Sequence, residues 1–169
     1  MFVGIQPFSI YNNNIYFLIG QEKYEEGYKD SLKWSAFGGL KHENESYLQG
    51  AIREGFEETM SVIGSQKELR KKVINTPIYY RNSCIYLIKI NYDENIPIIF
   101  DNFYEYVHKA GTLNNINEGY FEKCKIKWIK KNELLDIHNR ASNKNIILRK
   151  DYKKSLNHIF NELDNIIKN

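Results

Sequence analysis

Three glutamates stand close together in one short stretch of the chain. Glu54, Glu57 and Glu58 are spaced i, i+3 and i+4, and this spacing places all three carboxylates on one face of an α-helix. Negative charges at this spacing repel each other, so a helix that carries them needs a positive partner. Mg²⁺ suits that role, because it prefers oxygen ligands and commonly binds one or two carboxylates together with substrate phosphates. The cluster therefore predicts a site for Mg²⁺, or for Mn²⁺ in its place, where a diphosphate is neutralised and an attacking water is activated.

The residues around this cluster suit the same chemistry. Arg53 lies one helical turn before Glu57, where its guanidinium could hold that carboxylate in place. Gly38 and Gly39 have no Cβ, so their backbone can approach a ligand closely and present a carbonyl or an amide to it. Glu45 comes just before the helix, where the helix dipole favours a negative charge. These neighbours predict a site built from one loop and the helix that follows it.

The helix that carries the glutamates has a clear start. Ser46 and Gln49 form the S-x-x-Q pattern of a capping box. From there apolar residues recur at every fourth position, which is typical of a helix buried on one side: Leu48, Ile52, Phe56 and Met60. Val62 and Ile63 are also apolar, and Gly64 is the first glycine suited to a C-terminal cap. We therefore expect the helix to run as far as Gly64.

Strands and helices alternate along the rest of the chain. Runs rich in β-branched and aromatic residues predict strands at residues 2–11, 15–19, 34–37, 73–80, 84–92 and 125–129. The first two form a hairpin around three asparagines, and 73–80 and 84–92 are predicted to be central strands. Helical patterns follow at residues 132–137 and 145–167, and residues 100–110 form either a helix or an aromatic insertion. The alternation is typical of an α/β or α+β layered domain, and 169 residues suit one domain, residues 1–169.

Composition excludes several classes of protein. With 42% hydrophobic and 27% charged residues and no apolar stretch of membrane-spanning length, the sequence does not predict a membrane protein. The first ten residues lack the basic start and the apolar run of a signal peptide, so we expect a cytoplasmic location. Cys84 and Cys124 both lie in predicted strands, which favours packing over a disulfide framework or a zinc site.

Charge is distributed unevenly, although the net charge is only +3. Carboxylates gather at residues 43–58, and basic residues gather at 123–131 and 149–154. An acidic pocket beside a basic rim suits a phosphate substrate that is bound together with a cation.

Residues 39–61 resemble the Nudix box, whose pattern is G-x5-E-x7-R-E-U-x-E-E-x-G-U with U a bulky aliphatic residue. Six residues agree with the pattern in register: Gly39, Glu45, Arg53, Glu54, Glu57 and Glu58. The match spans about a seventh of the chain, and Trp34 and residues 125–134 resemble features that flank the box in Nudix domains. A solvated, ion-paired face is the usual explanation of a glutamate-rich helix. Here the register with the glycine pair and the arginine favours a metal site.

The resemblance implies a fold and an activity. The fold would be an α/β/α sandwich with a mixed central sheet, in which the Nudix loop and helix carry the metal site. The activity would be metal-dependent hydrolysis of the phosphoanhydride in a nucleoside diphosphate linked to another moiety. Such substrates include nucleoside triphosphates, ADP-ribose and dinucleoside polyphosphates.

The resemblance also implies roles for the residues of the box. Glu57 and Glu58 would be metal ligands, and Glu54 would be a further ligand or the general base that activates water. The carbonyl of Gly38 would be an extra ligand.

Residues outside the three helix carboxylates complete the implied site. Arg53 and Glu45 would be supporting residues that orient the cluster. Many Nudix proteins complete the site with an acidic residue from a later loop, and the candidates here are Glu122 and Glu118.

The chain departs from the Nudix pattern at three positions. Gly55 replaces a bulky aliphatic residue, Met60 replaces the box glycine, and Ser61 replaces the final aliphatic residue. A glycine inside a helix costs about 1 kcal/mol against alanine, so we expect Gly55 to pack closely against a neighbouring element. No departure removes a carboxylate, so the prediction of an enzyme stands.

Substrate identity stays open at the level of the sequence. Pro77 is placed as in ADP-ribose pyrophosphatases, whereas Tyr79 and Tyr80 lie near the tyrosine position of dinucleoside-polyphosphate hydrolases. One alternative is cleavage of a capped RNA end, with phosphate contacts from Lys150, Lys153 and Lys154. Another is a sensor that binds a nucleotide without hydrolysing it, although the intact carboxylates argue against it.

Overall fold

The computed structural model describes residues 1–74, 77–109, 118–139 and 146–168. Its strands are β1 (Phe2–Tyr11), β2 (Asn14–Glu22), β3 (Trp34–Ser35), β4 (Phe37–Leu40), β5 (Ile78–Tyr80), β6 (Ser83–Lys89) and β7 (Lys123–Lys130). Its α-helices are α1 (Tyr47–Glu58), α2 (Gln66–Lys71), α3 (Asn95–Lys109), α4 (Lys131–Asn139) and α5 (Lys150–Lys168). A short 3-10 helix spans Glu118–Phe121.

The strands form one mixed sheet around β1. Its main path runs β3-β2-β1-β6-β5, while β4 pairs with β1 and β7 pairs with β2. Strand β1 is antiparallel to β2 and β4 and parallel to β6. The predicted hairpin between β1 and β2 is confirmed, and Asn12 and Asn13 turn it with φ angles of 47° and 57°. Asparagine tolerates this left-handed conformation better than most residues.

Helices cover both faces of the sheet. One buried cluster, which includes Ile5, Phe37 and Ile52, packs the sheet against α1, α2 and α3. The other, which includes Phe17 and Leu156, packs it against α4 and α5. The arrangement is an α/β/α sandwich, so the predicted fold class is confirmed.

Helix α1 starts at the predicted capping box. The Ser46 hydroxyl accepts a hydrogen bond from the Gln49 N–H at 3.2 Å, and the Gln49 side chain accepts one from the Ser46 N–H at 2.8 Å. Both bonds satisfy N–H groups that have no partner inside the helix.

The predicted extension of α1 to Gly64 is wrong. The helix ends at Glu58, because Met60 and Ser61 take left-handed conformations with φ of 51° and 59°. Met60 stands where the Nudix pattern has glycine, the residue that adopts positive φ without strain. Its side chain is only 2% exposed, so burial in the α1-side core offsets the cost of that conformation.

Gly55 packs as closely as the sequence predicted. A Cβ built at this position would lie 2.2 Å from Cδ1 of Ile5 on β1, which is far below van der Waals contact. Absence of a side chain therefore lets α1 lie directly on the sheet, and this fixes how far the helix carboxylates stand from the strands.

One predicted central strand, at residues 73–80, differs from its prediction. Only Ile78–Tyr80 of the segment 73–80 forms a strand, Val73 makes an isolated bridge to Ile88, and residues 75–76 lie outside the described chain. Strand β5 is an edge strand and not a central one, because it pairs only with β6 within the described sheet. Strand β6 lies between β1 and β5 and is central, as predicted.

The remaining predictions concern helices and cysteines. Residues 100–110 belong to helix α3, except that residue 110 lies outside the described chain. The helix predicted at 132–137 is α4, and the helix predicted at 145–167 is α5, which begins only at Lys150 because Leu148 forms a bridge to Trp34. Residue 145 is also outside the described part. Cys84 lies on β6 and Cys124 on β7, and both are free thiols.

None of the helices that the structure describes is long and apolar enough to span a bilayer.

Candidate active site

The three glutamates of α1 point into the protein on one side of the helix, as their spacing predicted. Glu54, Glu57 and Glu58 are 7%, 8% and 1% exposed. The Glu58 carboxylate accepts a hydrogen bond from the Gly38 N–H at 2.6 Å. The Glu57 carboxylate lies against Gly119, where an added Cβ would be 3.0 Å from its Oε2. The helix therefore presents buried carboxylates to β4 and to the 3-10 helix before β7.

The glycine pair on β4 makes this approach possible. A Cβ at Gly39 would lie 2.5 Å from Oε2 of Glu54, and a Cβ at Gly38 would lie 2.4 Å from the carbonyl oxygen of Val3 on β1. Gly39 must lack a side chain to leave room for the Glu54 carboxylate, and Gly38 must lack one to lie against β1. Gly38 contacts the cluster through its amide, whereas the role of its carbonyl as a ligand stays a prediction.

Arg53 holds the acidic side chains together. Its guanidinium donates to both carboxylate oxygens of Glu45, at 2.7 and 3.1 Å. Nη1 of the same group lies 2.8 Å from Glu54 and 3.0 Å from Glu57. The hydrogen bonds that Arg53 donates to Glu45 lower the pKa of Glu45 and raise the pKa of Arg53. The predicted contact of Arg53 with Glu57 is confirmed, and Glu45 anchors the arginine from the loop.

Lys123 is a further member of the cluster that sequence reasoning missed. It begins β7 and is 0% exposed, so the prediction that places residues 123–131 on a basic rim is wrong at this position. Its ammonium lies 3.3 Å from Oε1 of Glu58 and 3.1 Å from the Ser35 hydroxyl, and it forms an ion pair with Glu22. Burial raises the pKa of Glu58 to about 8, although Lys123 opposes this increase.

Of the two later-loop candidates, the structure brings Glu122 to the cluster. The negative charge of Glu122 raises the pKa of both Glu54 and Glu58, after the larger effect of burial on each. Glu122 is an exposed residue whose own pKa is raised by partial desolvation of its carboxyl. The side chain of Glu118 lies outside the described part of the structure.

Glu22 connects the cluster to the edge of the sheet. Arg149, the residue before α5, places Nη1 2.9 Å from Glu22 and Nε 3.4 Å from Asp30. The Arg149 N–H also donates to the carbonyl of Trp34 on β3 at 2.9 Å. Neither Glu22 nor Arg149 matches a local motif, and their side chains meet across 127 residues of sequence.

The donor groups fit a hard divalent cation. Among the described residues, five glutamates lie within ion-pair distance of three basic side chains, which leaves an excess of negative charge. The glutamates are Glu22, Glu45, Glu54, Glu57 and Glu58, and the basic residues are Arg53, Lys123 and Arg149. Oε1 of Glu58 is buried and accepts no hydrogen bond from any described residue, although the Lys123 ammonium lies 3.3 Å away. Carboxylate oxygens are the ligands that Mg²⁺ and Mn²⁺ prefer.

The protein itself supplies part of the compensating charge, through Arg53 as the sequence predicted for Glu57 and through Lys123, which it did not predict. Each of the three helix glutamates lies within ion-pair distance of Arg53 or Lys123. Among the described residues, no three acidic, histidine or cysteine side chains form a ready set of metal ligands. A divalent ion would therefore bind beside two basic side chains.

A cavity lies on the other side of the sheet edge. Its volume is about 530 Å³, and its lining includes Ser35, Ala36, Tyr80, Arg81, Arg149 and Tyr152. Ser35 and Arg149 both also contact Glu22. The cavity and the carboxylate cluster thus share Ser35 of β3 and Arg149, which precedes α5.

Comparison with solved structures identifies the architecture. A Nudix hydrolase from M. smegmatis, RenU, is 8% identical and superposes with a TM-score of 0.58 over 98% of this chain and 86% of that one. The chain has the Nudix hydrolase fold. An Ap4A hydrolase from C. elegans shares this fold at 17% identity, with a TM-score of 0.51 over 96% of each chain. The NUDIX domain of NrtR from Shewanella oneidensis, solved with ADP ribose, does so at 14% identity, with a TM-score of 0.55 over 96% of this chain and 86% of that one.

Neither a model of a protein family nor a curated protein matches the sequence. The likeness to the Nudix fold therefore lies in the structure and in the residues of the box.

Proposed function

We propose that the protein is a metal-dependent pyrophosphohydrolase of the Nudix type, which cleaves the phosphoanhydride in a compound containing a nucleoside diphosphate. One observation carries this proposal. Glu54, Glu57 and Glu58 are buried on one face of α1 against a glycine pair, in a cluster with more carboxylates than basic side chains. Burying like charges together is unfavourable unless a cation joins them. Mg²⁺ or Mn²⁺ would add the positive charge that Arg53 and Lys123 do not supply.

Each residue of the site would have a distinct role. Glu57, Glu58 and Glu122 would hold the ion together with the Gly38 carbonyl. When bound, the ion neutralises charge on the diphosphate and lowers the pKa of an attacking water. Glu54 would be a further ligand or the base that takes the proton from that water, and burial raises the pKa of Glu54, which makes it a stronger base than an exposed glutamate.

Arg53 and Glu45 position the ligands and do not react. The guanidinium is shared among Glu45, Glu54 and Glu57, so the orientation of two helix carboxylates depends on it. Arginine suits this role because its planar group presents several donors in fixed directions.

The cavity beside β3 would hold the nucleoside or the second moiety of the substrate. Its lining combines the basic residues Arg81 and Arg149 with the rings of Phe2 and Tyr80. Aromatic rings can stack on a base, and guanidinium groups can bind phosphate oxygens. Its volume of about 530 Å³ suits a small nucleotide. We therefore favour nucleoside triphosphates, ADP-ribose and dinucleoside polyphosphates over capped RNA.

A screen for turnover tests the proposal. The protein is incubated with ATP, ADP-ribose, diadenosine tetraphosphate and capped RNA in Mg²⁺ or Mn²⁺, and the products are separated by chromatography. We expect one of the small nucleotides to be cleaved, with activity lost in EDTA. Glu57→Gln and Glu58→Gln should each lower kcat/KM by about 100-fold, which is the effect of removing a group that stabilises the transition state.

Glu43→Gln is the matched control, because Glu43 is exposed and lies just before the cluster. It should retain activity within about twofold. Equal activity in Glu58→Gln and Glu43→Gln would contradict the metal site. Binding of ADP-ribose without any product would instead identify a nucleotide sensor, and cleavage of capped RNA alone would identify a decapping enzyme.

A further inference from the structure

Lys123 is buried in a place where lysine is rarely found. Its side chain leaves β7 on the α1 side of the sheet and crosses Gly20 of β2, where an added Cβ would lie 3.0 Å from Cδ of Lys123. Lysine is almost never fully buried without a charged partner, because desolvating the ammonium is costly. The sheet thus leaves room for this side chain to reach the carboxylates.

The ammonium joins two carboxylates from different parts of the fold. Glu22 stands opposite Lys123 in the pairing of β2 with β7, next to an irregularity in the register. Glu58 comes from the last turn of α1, and its Oε1 lies 3.3 Å from the ammonium. The Ser35 hydroxyl accepts a third contact at 3.1 Å. The pairing of β2 with β7 therefore places one permanent positive charge within the carboxylate cluster.

We propose that Lys123 is a permanent counter-ion of the candidate metal site, whose charge competes with a divalent ion for Glu58. This inference rests on the proposed function, since Glu58 is one of the proposed ligands. The Gly38 amide donates to Oε2 of Glu58 and keeps this carboxylate in place, while the ammonium lies 3.3 Å from its Oε1. The ammonium therefore weakens divalent binding, because the positive ion must bind a carboxylate that already contacts a positive charge.

Metal affinity in the absence of substrate tests this role. Mn²⁺ binding is measured by isothermal titration calorimetry and by the EPR signal of free Mn²⁺ for the wild type and for Lys123→Met. We expect the Kd for Mn²⁺ to fall by at least tenfold in Lys123→Met, because a repulsive charge next to the ligand is lost. A purely structural lysine would have the opposite effect, since its loss would disorder Glu58 and weaken binding.

Lys125→Met is the matched control. Lys125 lies two residues along the same strand and is exposed, so its loss removes the same charge where solvent screens it. We expect the Kd for Mn²⁺ to change by less than about twofold in this variant. An unchanged or increased Kd in Lys123→Met would overturn the inference.

A second pair of variants keeps the test valid if Lys123→Met does not fold. Glu22→Gln with Lys123→Met removes one charge of each sign from the buried pair and is compared with Glu22→Gln alone. The same tenfold decrease in Kd is expected, and its absence would overturn the inference. If the wild type binds Mn²⁺ and the loss of Lys123 leaves the Kd unchanged, only the proposed role of Lys123 is refuted. Absence of Mn²⁺ binding in every variant would refute the proposed function as well.

Discussion

The close approach of Gly55 to Ile5 predicts that a larger residue at position 55 destabilises the packing of α1 on β1. A methyl group at Gly55 would lie 2.2 Å from Cδ1 and 2.5 Å from Cγ1 of Ile5. Replacing glycine with alanine inside a helix normally stabilises it by about 1 kcal/mol. Overpacking a core costs about 1 to 3 kcal/mol, and two contacts this short favour the upper end. We therefore expect Gly55→Ala to lower the free energy of unfolding by about 2 kcal/mol.

The same reasoning predicts that Gly55→Ala has the opposite effect on the free energy of unfolding when Ile5 is replaced by alanine. Ile5→Ala removes both clashing atoms and alone costs about 2 to 5 kcal/mol by leaving a cavity. In that background the methyl group of Gly55→Ala meets empty space, so the change should raise the free energy of unfolding by about 1 kcal/mol. Urea denaturation of the four proteins measures both values. Stabilisation by Gly55→Ala in the wild-type background would refute the close seating of α1 on β1.

Further predictions concern the helix end, the arginine and the cavity. Ser61→Gly should raise the free energy of unfolding by about 1 kcal/mol, because Ser61 is exposed with φ of 59°. Met60→Gly should lower the free energy of unfolding by about 1 to 3 kcal/mol, because the buried side chain of Met60 is lost. Urea denaturation measures both changes. Changes of the same sign in the two variants would contradict the assigned conformation. Arg53→Lys should lower kcat/KM by about tenfold or more with the protein still folded by circular dichroism, since lysine cannot reproduce the forked contacts. Tyr80→Ala should raise KM for the nucleotide by about fivefold or more with little change in kcat, whereas Tyr79→Ala should leave both constants unchanged, because only Tyr80 lines the cavity.

Local sequence patterns predicted the start of α1 and the placement of its carboxylates. The capping box fixed the first residue of α1, and the i, i+3, i+4 spacing placed the three glutamates on one face. Arg53 reaches Glu57 because residues four apart are neighbours on a helix surface. These relations hold within one or two turns, so they do not depend on the rest of the fold.

The end of α1 shows where local patterns fail. Apolar residues beyond Met60 suggested that the helix continues, yet the chain turns at Met60 and Ser61 through positive φ. The apolar side chains are buried because the turn folds back onto the α1-side core. Hydrophobicity specified burial in both arrangements and could not distinguish a helix from a turn.

The sequence by itself determined the carboxylate face of α1 and the contact of Arg53 with Glu57, because each depends on neighbours a few residues away. Tertiary structure alone decided that Lys123 and Glu22 enter the cluster, since pairing of β2 with β7 brings together residues 101 positions apart. It also decided that a segment read as a central strand lies at the edge of the sheet. Strand order and the burial of a lone lysine depend on which strands pair, and nothing in the local run of residues encodes that choice.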